Sequence, residues 1–96
     1  MISFIVPAHD EQRLIADTLE AIHAAACGVG LGIERDYEIV VVDDASTDRT
    51  AEIAIDHGAR VVHVSHRQIA ATRNAGAREA RGDFLFFIDA DTLIHP

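Results

Sequence analysis

Four short apolar runs alternate along the chain with stretches of helical periodicity, and this alternation limits the fold more than any other feature. The apolar runs occupy residues 2–6, 37–42, 60–64 and 84–88. The helical stretches between them cover residues 11–26, 48–57 and 68–81. Strands that alternate with helices are typical of βαβ units, which build a parallel sheet. The chain is therefore predicted to be an α/β protein.

Each run also indicates where its strand lies. The first strand is expected to stop at Pro7. Residues 37–42, YEIVVV, leave no solvated face and predict a central strand, whereas residues 60–64 form a short strand expected near an edge. Residues 84–88, FLFFI, are expected to be buried on both faces. The second helix is expected to begin near Asp48, capped by Ser46 or Thr47.

Polar residues follow three of the predicted strands, at the point where each strand ends. The clusters are Pro7-Ala8-His9-Asp10-Glu11, Asp43-Asp44-Ala45-Ser46 and Asp89-Ala90-Asp91. In open parallel sheets, ligands bind outside the carboxyl ends of the strands, near a switch in strand order. One acidic strand end alone is equally well explained as a turn or a helix cap. Three on the same rim indicate a functional site.

The three clusters would bring many carboxylates together, and these repel each other unless a cation or hydrogen-bond donors offset their charge. A divalent metal is the simplest remedy, because oxygen ligands suit Mg²⁺ or Mn²⁺. Such an ion would bridge a carboxylate to phosphate oxygens. Arginines are the other source of positive charge, and five of the eight fall within the last 40 residues: Arg60, Arg67, Arg73, Arg78 and Arg81. For Arg78 and Arg81 a solvated helix face is the better explanation.

Composition excludes some classes of partner and suggests a compartment. A net charge of −8 argues against nucleic-acid binding. The single Cys27 rules out an intrachain disulfide and fits a reducing compartment. No signal peptide is visible in the first residues, and the apolar runs are far shorter than a membrane span. A cytoplasmic location is expected, and association of a larger protein with the cytoplasmic membrane face stays open.

The order of three motifs resembles a known family. VPAHDE, then EIVVVDDASTDRTAEIA, then AATRNAGAREARGDFLFFIDAD resemble the start of a family 2 glycosyltransferase of the GT-A fold. Each motif alone is weak, but their combination is specific and covers residues 2–91 in the family's order. The resemblance implies a Rossmann-like doubly wound parallel sheet with strand order 3-2-1-4 and helices on both faces. It also implies that residues 1–96 are the donor-binding part of such a domain, truncated after its DxD motif.

The resemblance assigns donor-binding roles to the strand ends. The positions at which the family contacts the nucleoside correspond to Pro7, His9 and Glu11, with Ala8 between them. Asp44 matches the acid that recognises the base, typically uracil, through its ring N–H, and Asp43 is expected to support the loop. Two departures are noted: the family more often has an aromatic residue and Asn where this chain has His9 and Asp10, and Ala45 replaces a common glycine.

The remaining assignments concern the diphosphate. Asp89, Ala90 and Asp91 match the DxD motif, in which the first acid contacts the ribose or sugar and the second binds the metal with the diphosphate. Asp91 is therefore the candidate ligand for Mn²⁺ or Mg²⁺ that the motif implies, and Asp89, two residues before it, is taken as a second candidate. Arg73 and Asn74 match a segment near the donor, and Arg67 is close enough in sequence to reach a phosphate.

The function that the resemblance implies is metal-dependent, inverting transfer of a sugar from a nucleotide diphosphate, UDP above all, to an acceptor hydroxyl. A base beyond Pro96 would deprotonate the acceptor, so no catalytic residue is assigned here and the chain alone is expected to bind donor only. A non-catalytic module of the same fold, or one that serves as an assembly surface, is the alternative. The FLFFIDADTL segment also resembles the nucleophile strand of haloacid-dehalogenase-type phosphatases, but Leu93 stands where that motif has a hydroxyl residue.

Overall fold

The computed structural model describes residues 1–89, so the sequence predictions for Ala90 and Asp91 lie outside the described residues. Its elements are β1 (Ile2–Ala8), α1 (Ile15–Gly28), β2 (Tyr37–Asp44), α2 (Thr50–Asp56), β3 (Arg60–Val64), α3 (Ile69–Glu79) and β4 (Phe84–Phe87). The strands form a parallel sheet in the order β3-β2-β1-β4, which confirms the predicted topology. None of the described helices is both long enough and apolar enough to span a bilayer.

The helices cover both faces of the sheet. On one face, α1 buries a stripe of residues at helical spacing, and this stripe packs with α2 on alternate residues of β1 and β2. On the other face, α3 packs over Ile5, Val40 and Val42. Because β2 is covered on both sides, every one of its residues is buried, as its continuous apolar run predicts.

The close approach of α3 to the sheet depends on Gly76. A Cβ atom at this position would lie 2.4 Å from Ile5 Cγ2 and 2.6 Å from Val42 Cγ2. No side chain fits in that space, so the glycine lets the helix lie directly against β1 and β2. This contact fixes the height of α3 over the carboxyl ends of both strands.

The first strand continues through Pro7 to Ala8, so the prediction that Pro7 stops it is wrong. Pairing of β1 with β4 ends at Ile5 and Phe87, before Pro7 is reached. The N–H that proline lacks is therefore not needed by the described ladder, and the residue is tolerated. The strand end is carried two residues further into the predicted site.

The last strand differs from its prediction. Phe84 and Phe86 are 66% and 53% exposed, and all of β4 is solvent-accessible, so the expectation of burial on both faces is wrong for the described chain. The strand pairs with β1 on one side and forms the edge of the described sheet. The ring of Phe86 packs on Phe4 at a centroid distance of 5.8 Å, and half-buried Ile88 contacts the core.

Candidate functional site

A cavity of about 350 Å³ opens at the carboxyl ends of the strands. The strand order changes direction between β1 and β4, and this switch point is where ligands bind in open α/β sheets. The predicted residues that line the cavity are Pro7, Ala8, His9, Glu11, Asp44, Arg67 and Asp89. Gln68, Ile69 and Thr72 line it as well and were not predicted. Asp44, which ends β2, and Asp89, which follows β4, therefore share one cleft, with the end of β1 between them.

Asp44 is buried in the wall of this cavity and is held by three hydrogen bonds. The backbone N–H of His66 donates to Oδ1 at 2.8 Å, and that of Arg67 donates to Oδ2 at 2.8 Å. The Thr72 hydroxyl donates to Oδ2 at 3.1 Å. Burial raises the pKa of this carboxyl, but the hydrogen bonds outweigh burial and hold the pKa below its ordinary value of 3.8. Asp44 is therefore a fixed, ionised acceptor at neutral pH.

The imidazole of His9 is oriented by the same strand end. His9 Nδ1 lies 2.6 Å from the backbone carbonyl of Asp44, which can only accept, so Nδ1 carries the hydrogen. His9 Nε2 lies 3.3 Å from an oxygen of Asp10, a contact that becomes an ion pair when the ring is protonated. The ring is thus fixed beside Asp44 on the cavity wall.

The loops that follow β1 and β2 are joined by hydrogen bonds, here called the rim contact (residues 10–12 with residues 46–50). The backbone N–H of Asp10 donates to the Ser46 hydroxyl at 2.9 Å, and the Thr47 N–H donates to Asp10 Oδ1 at 2.7 Å. The N–H of Glu11 donates to the buried Thr50 hydroxyl at 2.9 Å. These bonds hold the loop after β1 and the loop after β2 together as one unit.

The second helix begins later than predicted, because the two residues expected to cap it take part in the rim contact. Ser46 and Thr47 bond to the neighbouring loop and do not cap α2. The helix begins at Thr50, whose N–H donates to Asp48 Oδ1 at 3.0 Å. The expectation for Asp43 holds, because its Oδ1 accepts the Ser46 N–H at 3.3 Å and so supports the loop.

The acid after β4 is paired with an arginine of α3. Arg73 Nη2 donates to Asp89 Oδ1 at 2.9 Å, and both side chains are partly exposed. Arg73 therefore contacts Asp89 on the cavity wall but does not line the cavity itself. Asn74 is exposed on α3 and does not line the cavity.

The described residues suit a divalent cation only in part. Within residues 1–89 no group of three His, Cys, Asp or Glu side chains could hold a metal. Mg²⁺ is commonly held by one or two carboxylates together with substrate phosphates, and does not require a dedicated protein cage. Asp89 supplies such a carboxylate on the cavity wall. Three donors already bind the oxygens of Asp44 and leave it one acceptor position, so it is less suited than Asp89 to hold a cation.

The sheet order, the helices on both faces and the cavity at the switch point define a doubly wound, Rossmann-like protein of the GT-A type. The chain belongs to glycosyl transferase family 2, whose model matches residues 3–96. Among curated relatives, an undecaprenyl-phosphate 4-deoxy-4-formamido-L-arabinose transferase from Edwardsiella ictaluri is 37% identical over 98 aligned positions, covering 94% of this chain and 29% of that protein.

Solved structures of two sugar-phosphoglycerate synthases are similar to this chain. Mannosyl-3-phosphoglycerate synthase from Rubrobacter xylanophilus has a TM-score of 0.84 at 26% identity, covering 100% of this chain and 32% of that one. Glucosyl-3-phosphoglycerate synthase from Mycobacterium tuberculosis was crystallised with Mn²⁺, uridine diphosphate and glucosyl-3-phosphoglycerate. It has a TM-score of 0.69 at 31% identity, covering 95% of this chain and 33% of that one. The chain thus spans between 29% and 33% of the length of these three proteins.

Proposed function

We propose that the chain is the donor-binding part of an inverting glycosyltransferase that moves a sugar from a nucleotide diphosphate, UDP in particular, to an acceptor hydroxyl. The observation that carries this proposal is Asp44, an ionised carboxylate fixed on the wall of a cavity at the switch point of the sheet. The choice of UDP and of a divalent cation is supported by the M. tuberculosis relative, which was crystallised with both uridine diphosphate and Mn²⁺.

Asp44 is suited to recognise a base with a ring N–H. An ionised carboxylate has about four acceptor positions and donates nothing, so the three bonds it receives leave room for one more donor. Because its orientation is already fixed, binding a base does not have to order this side chain. Uracil offers one such N–H in the plane of its ring.

The diphosphate would lie toward Arg67 and Asp89. We assign Asp89 and Asp91 as the residues that would hold Mn²⁺ or Mg²⁺, which supplies charge neutralisation for the leaving diphosphate. Arg67 lines the cavity and would donate to a phosphate oxygen. His9 and Glu11 line the cavity on the β1 side, where the nucleoside would lie.

No described residue is assigned as the base that deprotonates the acceptor. We place that base, and the acceptor site, in the part of the relatives' length that this chain does not span. The 96-residue chain is accordingly expected to bind donor with little or no transfer. The proposed location of the enzyme is the cytoplasm.

Isothermal titration of UDP in the presence of Mn²⁺ tests the proposal. Asp44→Asn should weaken UDP binding by about 10- to 100-fold, because a hydrogen bond to a charged group is lost. Asp56→Asn makes the same chemical change at an exposed position at the end of α2, and should leave the affinity unchanged. Equal affinities for the two variants would contradict the assignment of Asp44.

The exposed apolar strand β4 favours a second candidate, a module of the same fold that binds no donor and serves as an assembly surface. Thermal unfolding with and without UDP and Mn²⁺ distinguishes the two. A ligand at about 100 times its Kd stabilises the folded state by about 2.7 kcal/mol, whereas an inert module gains nothing. The phosphatase alternative finds no support in the family assignment.

A further inference from the structure

Two consecutive residues of α3 hold the two acids that stand on opposite sides of the cavity. Thr72 donates to Asp44, which ends β2, and Arg73 donates to Asp89, which follows β4. β1 lies between these two strands, so the helix bridges the switch point. Gly76 brings the helix against the sheet and sets the position of both side chains.

The Arg73–Asp89 contact is not arranged as a stabilising surface ion pair would be. Only one guanidinium nitrogen, Nη2, donates to one carboxylate oxygen, at 2.9 Å. The Nε–H of the same group is buried without a hydrogen-bond partner among residues 1–89, and an unsatisfied buried donor costs stability. Exposed single pairs contribute little stability in return. The geometry therefore favours a role in holding the Asp89 carboxylate over a role in folding.

Accordingly, we infer that Arg73 is a positioning residue for Asp89 and controls the cation-dependent part of donor binding without touching the donor. Thr72 is its counterpart for Asp44 and controls the base-dependent part. One helix therefore sets two separable contributions to the affinity for a nucleoside diphosphate. The inference rests on the proposed function, because it takes UDP as ligand and Asp89 as a cation ligand.

The test separates the two contributions by ligand and by cation. UDP and uridine are each titrated into the chain in EDTA and in Mn²⁺, with wild type, Arg73→Ala, Arg73→Lys and Thr72→Val. Uridine keeps the base and the ribose but lacks the diphosphate, and so reports the part of the affinity that does not depend on the cation. Chemical unfolding of each variant records any general loss of stability.

We expect Arg73→Ala to reduce the tightening of UDP by Mn²⁺ about tenfold, the size of effect of losing one charge-assisted hydrogen bond. Uridine affinity, and UDP affinity in EDTA, should not change. Arg73→Lys keeps the charge and should restore part of the Mn²⁺ effect. Thr72→Val should show the reverse pattern, with weaker uridine binding and a normal response to Mn²⁺.

A combined variant checks that Arg73 acts through Asp89. Asp89→Asn should lose the Mn²⁺ effect by itself, and adding Arg73→Ala to it should cause no further loss. Additive losses would overturn the inference, because they would mean that Arg73 acts independently of Asp89. An Arg73→Ala variant that weakens UDP equally in EDTA and in Mn²⁺ would also overturn it, because that pattern means contact with the donor that does not involve the cation. Equal weakening of every ligand would reduce Arg73 to a structural residue.

The wild-type titrations separate this inference from the proposed function. A wild-type chain that binds UDP in neither condition contradicts both. A wild type that binds UDP more tightly with Mn²⁺, paired with an Arg73→Ala variant that responds normally to Mn²⁺, overturns the inference and leaves the proposed function standing.

Discussion

Backbone strain marks the rim of the cavity at the scale of single residues. Asp10, Ala45 and Arg67 have positive φ angles of 50°, 54° and 52°, and each follows the end of a strand. A residue with a Cβ atom pays about 1–2 kcal/mol for this conformation unless local contacts offset the cost. Asp10 and Arg67 make such contacts with Thr47 and Asp44. The methyl group of Ala45 has no polar contact to make, which is why a glycine suits this position.

Replacing Ala45 by glycine should therefore stabilise the chain by about 1 kcal/mol, because the strain is relieved while the loop keeps its shape. Urea unfolding measures the change. The control is Ala24→Gly on the exposed face of α1, which should destabilise by about 1 kcal/mol through lost helix propensity. Equal effects at the two positions would show that the φ angle of Ala45 carries no strain in solution.

A second residue-scale prediction concerns Glu38, which is buried at the opposite end of the sheet from the cavity. Ser3 and the Arg81 N–H each donate to its Oε2 at 2.6 Å, and Arg60 donates to Oε1 at 3.2 Å. Burial raises the pKa of this carboxyl, but the hydrogen bonds prevail and hold the pKa below its ordinary value of 4.5. A carboxyl with a lowered folded-state pKa stabilises the fold above its unfolded pKa and loses that contribution as pH falls through the folded value.

Glu38→Gln should cost about 1–3 kcal/mol at pH 7, because a charged acceptor is lost among buried donors. The difference from wild type should shrink as the pH falls below about 4.5, the ordinary pKa, and unfolding titrations across this range measure it. Glu52→Gln, at an exposed ion pair with Arg49, should change stability by less than about 0.5 kcal/mol at any pH. A gap that stays constant with pH would mean that Glu38 has an ordinary pKa.

The sequence predicted the acids of the site better than their partners. Asp44 and Asp89 follow apolar runs, so their meeting at one rim follows from the rule for parallel strands. The sequence gives no comparable signal for Thr72, because a threonine in an alanine-rich helix does not indicate which face of the helix it lies on. The sequence places Asp10 in the polar cluster after the first strand and marks it as a departure from the family, but it does not predict that the carboxylate accepts a hydrogen bond from Thr47, 37 positions away. Such long-range bonds depend on loop conformation, which no periodicity encodes.

At the scale of elements, the close packing of α3 against β1 and β2 depends on Gly76. Gly76→Ala should destabilise the chain by about 1–2 kcal/mol, because overpacking against rigid β-branched side chains outweighs a gain of about 1 kcal/mol in helix propensity. A Cβ atom at Gly28, the last residue of α1, would meet nothing within 4 Å, so Gly28→Ala is the matched control and should not destabilise. If both substitutions were neutral in thermal and urea unfolding, α3 would be free to shift, and its role in positioning Thr72 and Arg73 would be lost.

Element types were predicted throughout, while their ends moved for identifiable reasons. β1 extends past Pro7 because no ladder bond is required there, and α2 begins at Thr50 because Ser46 and Thr47 serve the rim contact. The exposure of β4 could not be read from FLFFI, since an apolar run predicts burial without naming the element that buries it. In this chain no described element lies on the outer side of β4.

At the scale of the whole molecule, the two edges of the sheet are unequal. The β3 edge carries Arg60 and His63, which pair with Glu38 and Asp43, so polar groups occupy that side. The β4 edge presents a row of backbone groups flanked by aromatic side chains. Unpaired apolar edges of this kind template strand addition. The described sheet therefore has a well-packed centre and one edge, formed by β4, that can pair with another strand.

The exposed apolar edge at β4 predicts concentration-dependent self-association of the 96-residue chain in solution. Sedimentation velocity should show a weight-average mass that rises with concentration for wild type and stays near the monomer for Phe86→Lys, because a charge on an edge strand opposes pairing with a second strand. Ile55→Lys places the same charge at a comparably exposed apolar position on α2, 59% accessible, and should associate as wild type does. If Ile55→Lys abolished association as effectively as Phe86→Lys, general hydrophobicity rather than the β4 edge would be its cause.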